Sequence, residues 1–153
     1  EVGLDAARWF YLDKSLSTHM EFDMVLAKER SVKNPVYYVQ YACARMHSIL
    51  SKSKIKNQKS KLQLEILKIK PVKNLVLKLI QFPEIIEDIA NDYQVHRLTT
   101  YAYELAKEFS QFYENVKVIG SENEKELIIL VALTRKILID TLGFLGISAP
   151  EKM

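Results

Sequence analysis

The segment at residues 123–145, which contains "ELIILVALTRKILIDTLGFL", limits most strongly how this chain can fold. Read as a helix, it carries apolar residues on most of its circumference. A helix of this kind is stable in water only when neighbouring elements cover it, which is typical of the centre of a bundle. We therefore predict a helical bundle with this helix buried in its middle.

Local signals predict where the helices begin and end. Ser121 and Glu124 have the spacing of a capping box before the last helix, and Gly146 is suited to a C-terminal cap. Asn34 and Pro35 predict a second helix start, because asparagine caps and proline at the first position loses no needed hydrogen bond. We expect that helix to run to about Ser53.

The remaining pattern is helical as well. Residues 96–113 place apolar side chains at 98, 101, 102, 105, 109 and 112, a period of about 3.6 residues. Further helical segments are predicted at 5–12, 22–31 and 83–93, with two short ones around Pro71 and a polar loop at 54–61. No stretch alternates for long with a period of two, and only four glycines and four prolines occur. The predicted fold class is all-α.

The helix that begins at Asn34 has two contrasting faces. At about 100° per residue, one stripe is apolar and predicts the core side: Val36, Val39, Cys43, Met46 and Leu50. A second stripe, roughly opposite, is aromatic and basic: Tyr38, Tyr41, Arg45, Ser48 and Lys52. Aromatic rings can stack on unpaired bases and cations neutralise phosphates. The second stripe therefore predicts a recognition face, although a neighbouring helix could cover it or a partner protein could bind it.

Positive charge is concentrated in one part of the chain. Between Arg45 and Lys78, nine lysines and one arginine stand against the single acid Glu65, which gives +9 and leaves −6 for the rest of a chain with net charge +3. Such a stretch attracts phosphate backbones, or it forms a solvated lysine-rich loop. We expect Lys52, Lys54 and Lys56 to make weak contacts with an RNA backbone.

The residue pattern indicates no active site. There is no GxxxxGK[ST], GxGxxG or HExxH motif. The isolated polar residues are assigned structural roles, namely His19, His47, His96, the buried thiol of Cys43 and the solvated pair Glu87 and Asp88. No catalytic residue, metal ligand or cofactor site is expected within this chain.

Cellular context is predicted from the same composition. No run of eighteen apolar residues occurs, so we expect no membrane span. A single cysteine precludes an internal disulfide and is typical of the cytoplasm. The first residues lack the features of a signal peptide, and the absence of an initiator methionine suggests a fragment of a longer protein.

"NPVYYVQYACAR" at residues 34–45 resembles the signature NPVYYVQYAHAR, which opens the anticodon-binding domain of arginyl-tRNA synthetases. Three other segments resemble the same family in the same order. "EVGLDAARWFYLDKSLSTHMEFDMVLAKERS" is similar to the segment after the KMSK loop, "HRLTTYAYELAKEFSQFY" to a later helix, and "SAPEKM" to the family's ending SAPERM. The resemblance covers nearly the whole chain.

This resemblance implies an organisation and a function. Residues 1–31 correspond to the tail of the class I catalytic region, a helical and irregular appendage, and residues 32–153 to a DALR anticodon-binding bundle. The HIGH and KMSK motifs are absent, so the fragment alone is expected to be inactive, with ATP and Mg confined to the catalytic domain of the parent arginine–tRNA ligase. The implied partners are that catalytic domain and the anticodon stem-loop of tRNA(Arg), in a cytoplasmic and monomeric parent.

The resemblance also assigns binding residues. Tyr38 and Tyr41 match the family's anticodon contacts within the signature, Arg45 matches the arginine that ends the signature, and Met153 matches the terminal methionine near the anticodon pocket. All four are expected to bind the anticodon. Lys117 stands where some members carry an aromatic residue that touches the anticodon loop, so the role expected of Lys117 is a contact with a phosphate and not stacking. Cys43 replaces the family's histidine on the core stripe, where little effect is expected.

Two alternatives remain open. One is a DALR domain of another class I synthetase, against which "STHMEFDMVLAKERS" argues. The other is a helical protein-interaction module with no RNA role, which steep salt dependence of RNA binding would exclude. For residues 1–31, the aromatic cluster of Trp9, Phe10 and Tyr11 is expected to fold back on the bundle, to swap between chains or to drive dimerisation.

Overall fold

The chain is described here by a computed structural model that covers residues 2–53 and 64–153. Within these two ranges the regular structure is entirely helical, which confirms the all-α prediction. The helices are α1 (Leu4–Leu12), α2 (Met24–Lys28), α3 (Pro35–Lys52), a 3₁₀ helix (Leu64–Lys68), α4 (Lys70–Ile80), α5 (Phe82–Asp92), α6 (His96–Asn115) and α7 (Glu124–Phe144). None of these helices is both long and apolar enough to cross a membrane.

The centre of the bundle is α6 rather than α7. Helix α6 packs against α3, α4, α5 and α7 and also against α1, and all six of its predicted apolar positions are buried. Helix α7 is buried along one side, against α3, α4 and α6, but Leu133 and Phe144 are 45% and 64% exposed. The prediction of a fully central last helix is therefore wrong, because its neighbours among the described residues cover only part of its circumference.

The two ends of α7 differ in how well they match the capping signals. Gly146 has φ 66° and the amide of Ile147 donates to the carbonyl of Leu142 at 2.9 Å, so the predicted glycine cap is confirmed. The predicted capping box is wrong. It requires Ser121 at the N-cap and Glu124 at the third helical position, whereas α7 begins at Glu124 itself. Ser121 instead donates its hydroxyl to the carbonyl of Val118 at 2.9 Å, and the Glu124 carboxylate accepts from the amide of Gly120 at 2.7 Å.

Asn34 caps α3 as predicted and also joins α3 to α2. Its side-chain oxygen accepts from the amide of Val36 at 3.2 Å. Its side-chain nitrogen donates to the carbonyl oxygens of Glu29 at 2.9 Å and Ala27 at 3.3 Å. Because Asn34 is only 3% exposed, all three bonds are largely shielded from water.

We predict that Asn34→Ala lowers the free energy of unfolding by about 2 kcal/mol, since it removes a cap and leaves two carbonyls without their donor. Asn123→Ala is the matched control, because Asn123 occupies the N-cap of α7 without a side-chain capping bond. The control is expected to change stability by less than about 0.5 kcal/mol. Urea unfolding followed by circular dichroism measures both, and equal losses would contradict the capping role of Asn34.

Residues 2–31 fold back on the bundle, which is the first of the three outcomes considered for them. Trp9 is 1% exposed, and Ala6 and Ala27 are buried in the same hydrophobic core as α3 and α6. Phe10 and Tyr11 pack on Phe22, with ring centroids 5.6 and 5.7 Å apart. A domain boundary near residue 31 stays a prediction.

Cys43 occupies the core stripe of α3, with no exposed surface. Burial raises the pKa of its thiol to about 12, although the Arg135 guanidinium acts in the opposite direction. The thiol is therefore protonated at neutral pH and unsuited to nucleophilic chemistry.

The predicted polar loop at 54–61 lies outside the described residues.

Candidate nucleic-acid interface

A groove of about 660 Å³ opens between three parts of the chain. They are the second half of α3, the end of α6 with the segment 116–119 that follows it, and the C-terminal tail at 151–153. Its lining combines aromatic, cationic and apolar residues: Tyr41, Ala44, Arg45, Ser48, Ile49, Lys52, Tyr113, Val116, Lys117, Val118, Ile119, Glu151, Lys152 and Met153. A groove of this volume is large enough to hold a nucleobase.

The Arg45 guanidinium lies between two tyrosine rings. Its Cζ atom is 4.8 Å from the ring centroid of Tyr41 and 4.6 Å from that of Tyr113. Its Nη2 also donates to the Tyr41 hydroxyl at 2.6 Å. Such cation–π contacts hold the side chain in place while leaving its charge intact. Tyr41 and Tyr113 are 37% and 40% exposed, so their rings remain accessible to a ligand.

Positive charge dominates the groove. Lys52, Lys117 and Lys152 are exposed, and neither they nor Arg45 form an ion pair with a carboxylate in the described parts of the chain. Glu151 is the acid among the lining residues. Its two carboxylate oxygens lie 3.8 Å from Nε2 of His47 and 3.9 Å from Nη2 of Arg135. The groove can therefore accept an anion.

The structure brings together five residues singled out from the sequence. Tyr41, Arg45 and Lys52 come from α3, Lys117 follows α6, and Met153 ends the chain, yet all five line the same groove. Their roles in binding stay predictions. Lys54 and Lys56 lie outside the described residues.

Tyr38 does not share this groove. Its hydroxyl donates to Oγ of Ser110 at 3.0 Å, and its ring centroid is 5.3 Å from that of Tyr103, so the side chain packs half-buried against α6. The prediction that Tyr38 points away from the core is therefore wrong. Helix α3 packs against both α6 and α7, and this broadens its buried arc beyond the single apolar stripe.

Sequence reasoning missed Tyr113 and Lys152. Tyr113 closes the helical segment that was singled out for its apolar period, but it falls one residue after the buried Phe112 and was not assigned to a site. Its position just outside the apolar stripe was the signal available in the sequence, since a tyrosine at such a position faces either solvent or a ligand. Its proximity to Arg45 depends on how α3 packs against α6.

The arrangement of rings around Arg45 is suited to binding flat aromatic groups. Ring contacts continue on both sides of Arg45, from Tyr37 to Tyr41 with centroids 6.5 Å apart, and from Tyr113 to Phe109 with centroids 6.3 Å apart. Within this series Tyr41 and Tyr113 are partly exposed, so they present ring surface beside the donors of Arg45, whereas Phe109 is fully buried and supports Tyr113 from the core. The part of the chain that the structure describes contains no group of three or more potential metal ligands.

Comparisons with known proteins identify the family of this chain. The family described as DALR anticodon binding domain matches residues 39–153. An arginine–tRNA ligase of Symbiobacterium thermophilum is 42% identical over 159 aligned residues, and one of Bacillus subtilis is 42% identical over 158. Both alignments cover 100% of this chain and 28% of the relative. The chain thus spans less than a third of the length of these relatives.

A solved structure is similar as well. The crystal structure of arginyl-tRNA synthetase from Plasmodium falciparum superposes with a TM-score of 0.86 at 31% identity, covering 97% of this chain and 26% of that one. All three named proteins are arginine–tRNA ligases or arginyl-tRNA synthetases, which disfavours a DALR domain of another synthetase. The chain belongs to the family of DALR anticodon-binding domains.

Proposed function

We propose that this chain is the anticodon-binding part of an arginine–tRNA ligase and that its groove holds the anticodon loop of an arginine tRNA. The observation that carries this proposal is the position of Arg45, which lies between two half-exposed tyrosine rings and pairs with no carboxylate among the described residues. The family match and the names of the relatives support the same function.

The proposed mechanism is recognition by stacking and hydrogen bonding. Tyr41 and Tyr113 offer ring faces to bases that leave the stack of the loop. Arg45 has five N–H donors, and the described residues use only part of this capacity, in the bond to Tyr41. The remaining donors suit the acceptors of the central cytosine or a neighbouring phosphate. Lys52, Lys117 and Lys152 attract the backbone, and Met153 supplies an apolar contact at the end of the groove.

Tyr38 has a different role in this proposal. Because its hydroxyl bonds to Ser110 and its ring packs on Tyr103, it fixes the angle between α3 and α6. That angle sets the distance between Tyr41 and Tyr113. Tyr38 therefore positions the groove and does not itself stack on a base.

The complete enzyme is proposed to be a cytoplasmic monomer that attaches arginine to its tRNA with ATP and Mg. Those reactants would bind the catalytic part, because the motifs that handle them in the family are absent from this chain. This chain alone is expected to bind RNA without aminoacylating it.

Fluorescence anisotropy tests this function directly. The 153-residue chain is titrated into a labelled arginine-tRNA anticodon stem-loop, beside a stem-loop whose central cytosine is replaced. We expect tighter binding to the cytosine loop and a log–log salt slope of about −0.7 for each phosphate contacted. Equal binding to both loops would overturn anticodon recognition, and binding that does not change with salt would favour the protein-interaction alternative.

We predict that Tyr41→Ala weakens binding to the cytosine loop about tenfold, since one base–aromatic stack contributes about 1–3 kcal/mol. Tyr41→Phe retains the ring and is expected to lose no more than about threefold, which reflects the missing hydroxyl. Anisotropy titrations of both variants measure the difference. An equal loss in Tyr41→Phe would show that the hydroxyl, and not the ring face, makes the contact.

A further inference from the structure

The C-terminal tail forms one wall of the groove, and the N-terminal helix holds it there. After Gly146 the chain turns back along α3, and Ile147 is buried at 4% exposure. Residues 151–153 then reach the groove. The tail has no helical hydrogen bonds of its own, so its path depends on contacts with other elements.

Asp5 of α1 is the centre of these contacts. Its Oδ1 accepts from the amide of Ser148 at 3.2 Å, and its Oδ2 accepts from the Ser148 hydroxyl and, at 2.8 Å, from Nε2 of Gln40. The same Gln40 nitrogen donates to the carbonyl of Ser148 at 2.9 Å. One carboxylate thus connects α1, α3 and the tail.

Two further contacts lie on either side of this junction. The Arg8 guanidinium of α1 donates to the carbonyl of Gly146, at the point where the tail begins. Near the end of the tail, Glu151 lies between His47 and Arg135. The tail is therefore attached to α1 where it leaves α7 and to α3 and α7 where it enters the groove.

We propose that Asp5 is a positioning residue for anticodon recognition, which fixes the tail so that Lys152 and Met153 close the groove beside Tyr41 and Arg45. The inference rests on the proposed function, because it assigns the N-terminal segment a role in the same site. Helix α1 thereby couples the placement of the N-terminal segment to the shape of the RNA-binding groove. Any displacement of α1 changes the tail, and with it one wall of the site.

The matched variants are Asp5→Asn and Glu21→Gln. Asp5→Asn keeps the size of the side chain but replaces one acceptor by a donor, so it cannot accept from Ser148 and Gln40 at both positions. Glu21→Gln removes the same charge from an exposed residue of the N-terminal segment that lines neither the groove nor the tail. Both retain the apolar side chains of α1, so both are expected to fold.

The first readout requires no RNA. Amide hydrogen exchange followed by NMR is expected to speed up about tenfold at Ser148 in Asp5→Asn, because its amide then faces either a neutral oxygen or an NH₂ group where it had a charged acceptor, while amides in α6 keep their wild-type rates. Glu21→Gln should leave both unchanged. Unaltered exchange at Ser148 would overturn the proposal, since the tail would then be held by its other contacts, at Gly146, Ile147 and Glu151. Faster exchange throughout α6 would overturn it too, by showing a general loss of stability.

The second readout is anisotropy with the cytosine and replaced-cytosine stem-loops. Asp5→Asn is expected to reduce the preference for cytosine at least threefold, whereas Glu21→Gln keeps it. Faster exchange at Ser148 with an unchanged preference would overturn the positioning role and leave the proposed function intact. A wild-type chain without any preference would defeat the proposed function instead, and the exchange rates alone would then decide whether Asp5 holds the tail.

Discussion

Arg45→Met is expected to weaken binding of the arginine anticodon stem-loop between about tenfold and a hundredfold, because a charged hydrogen bond contributes about 1.5–3 kcal/mol. Methionine keeps an unbranched side chain between the rings of Tyr41 and Tyr113 and removes only the cation and its donors. If Arg45 bonds a phosphate, the salt slope should fall by about 0.7. If it bonds the cytosine edge, the slope should stay and the preference for cytosine should disappear.

Arg30→Met is the matched control for this experiment. Arg30 is an exposed arginine that precedes α3 and does not line the groove. Its replacement removes the same charge and is expected to change the affinity by less than about twofold. Comparable losses in both variants would show that net charge, and not the position of Arg45, determines binding.

Trp9→Ala is expected to lower the free energy of unfolding by about 3–5 kcal/mol, which is the usual loss when a buried aromatic side chain is truncated. Trp9 is 1% exposed and belongs to the common core, although the sequence resemblance places it in the tail of the catalytic region. Trp9→Phe should lose less, because it keeps a ring and removes an indole N–H that has no acceptor among the described residues. Urea unfolding followed by far-UV circular dichroism measures both.

Tyr11→Ala provides the comparison for Trp9. Tyr11 lies on the same helix two residues later, but it is 64% exposed. We expect a loss of no more than about 1.5 kcal/mol, because truncation removes only the ring contact with Phe22 at 5.7 Å. If Trp9→Ala were as mild as Tyr11→Ala, α1 would not be part of the folded bundle. Size-exclusion profiles with and without residues 1–31 test the predicted monomer, and a dimer that persists without these residues would contradict it.

Several features of this protein follow from the sequence alone, because they depend on neighbouring residues. The apolar period of residues 96–113 predicted α6 and its buried positions, and Asn34 followed by Pro35 predicted the start of α3. Gly146 predicted the end of α7. Helix period and capping are local properties, so they need no knowledge of the other helices.

The composition of the groove could be predicted only in part. The polar stripe of α3 and the family resemblance led to Tyr41, Arg45 and Lys52, and the resemblance led to Lys117 and Met153. Tyr38 was placed on the same stripe as Tyr41, because a helical wheel shows angles but not neighbours. The wheel could not show that α6 covers one of these tyrosines and leaves the other open.

Only the tertiary structure decided which distant residues meet. Sequence hydropathy made α7 the expected centre, yet α6 lies there, since the number of packed neighbours and not the apolar fraction of one helix determines burial. Tyr113 reaches Arg45 across 68 positions of the chain, and Asp5 reaches Ser148 across 143. Such contacts depend on the packing of whole helices, so a local pattern predicts the helices but not the groove that they build.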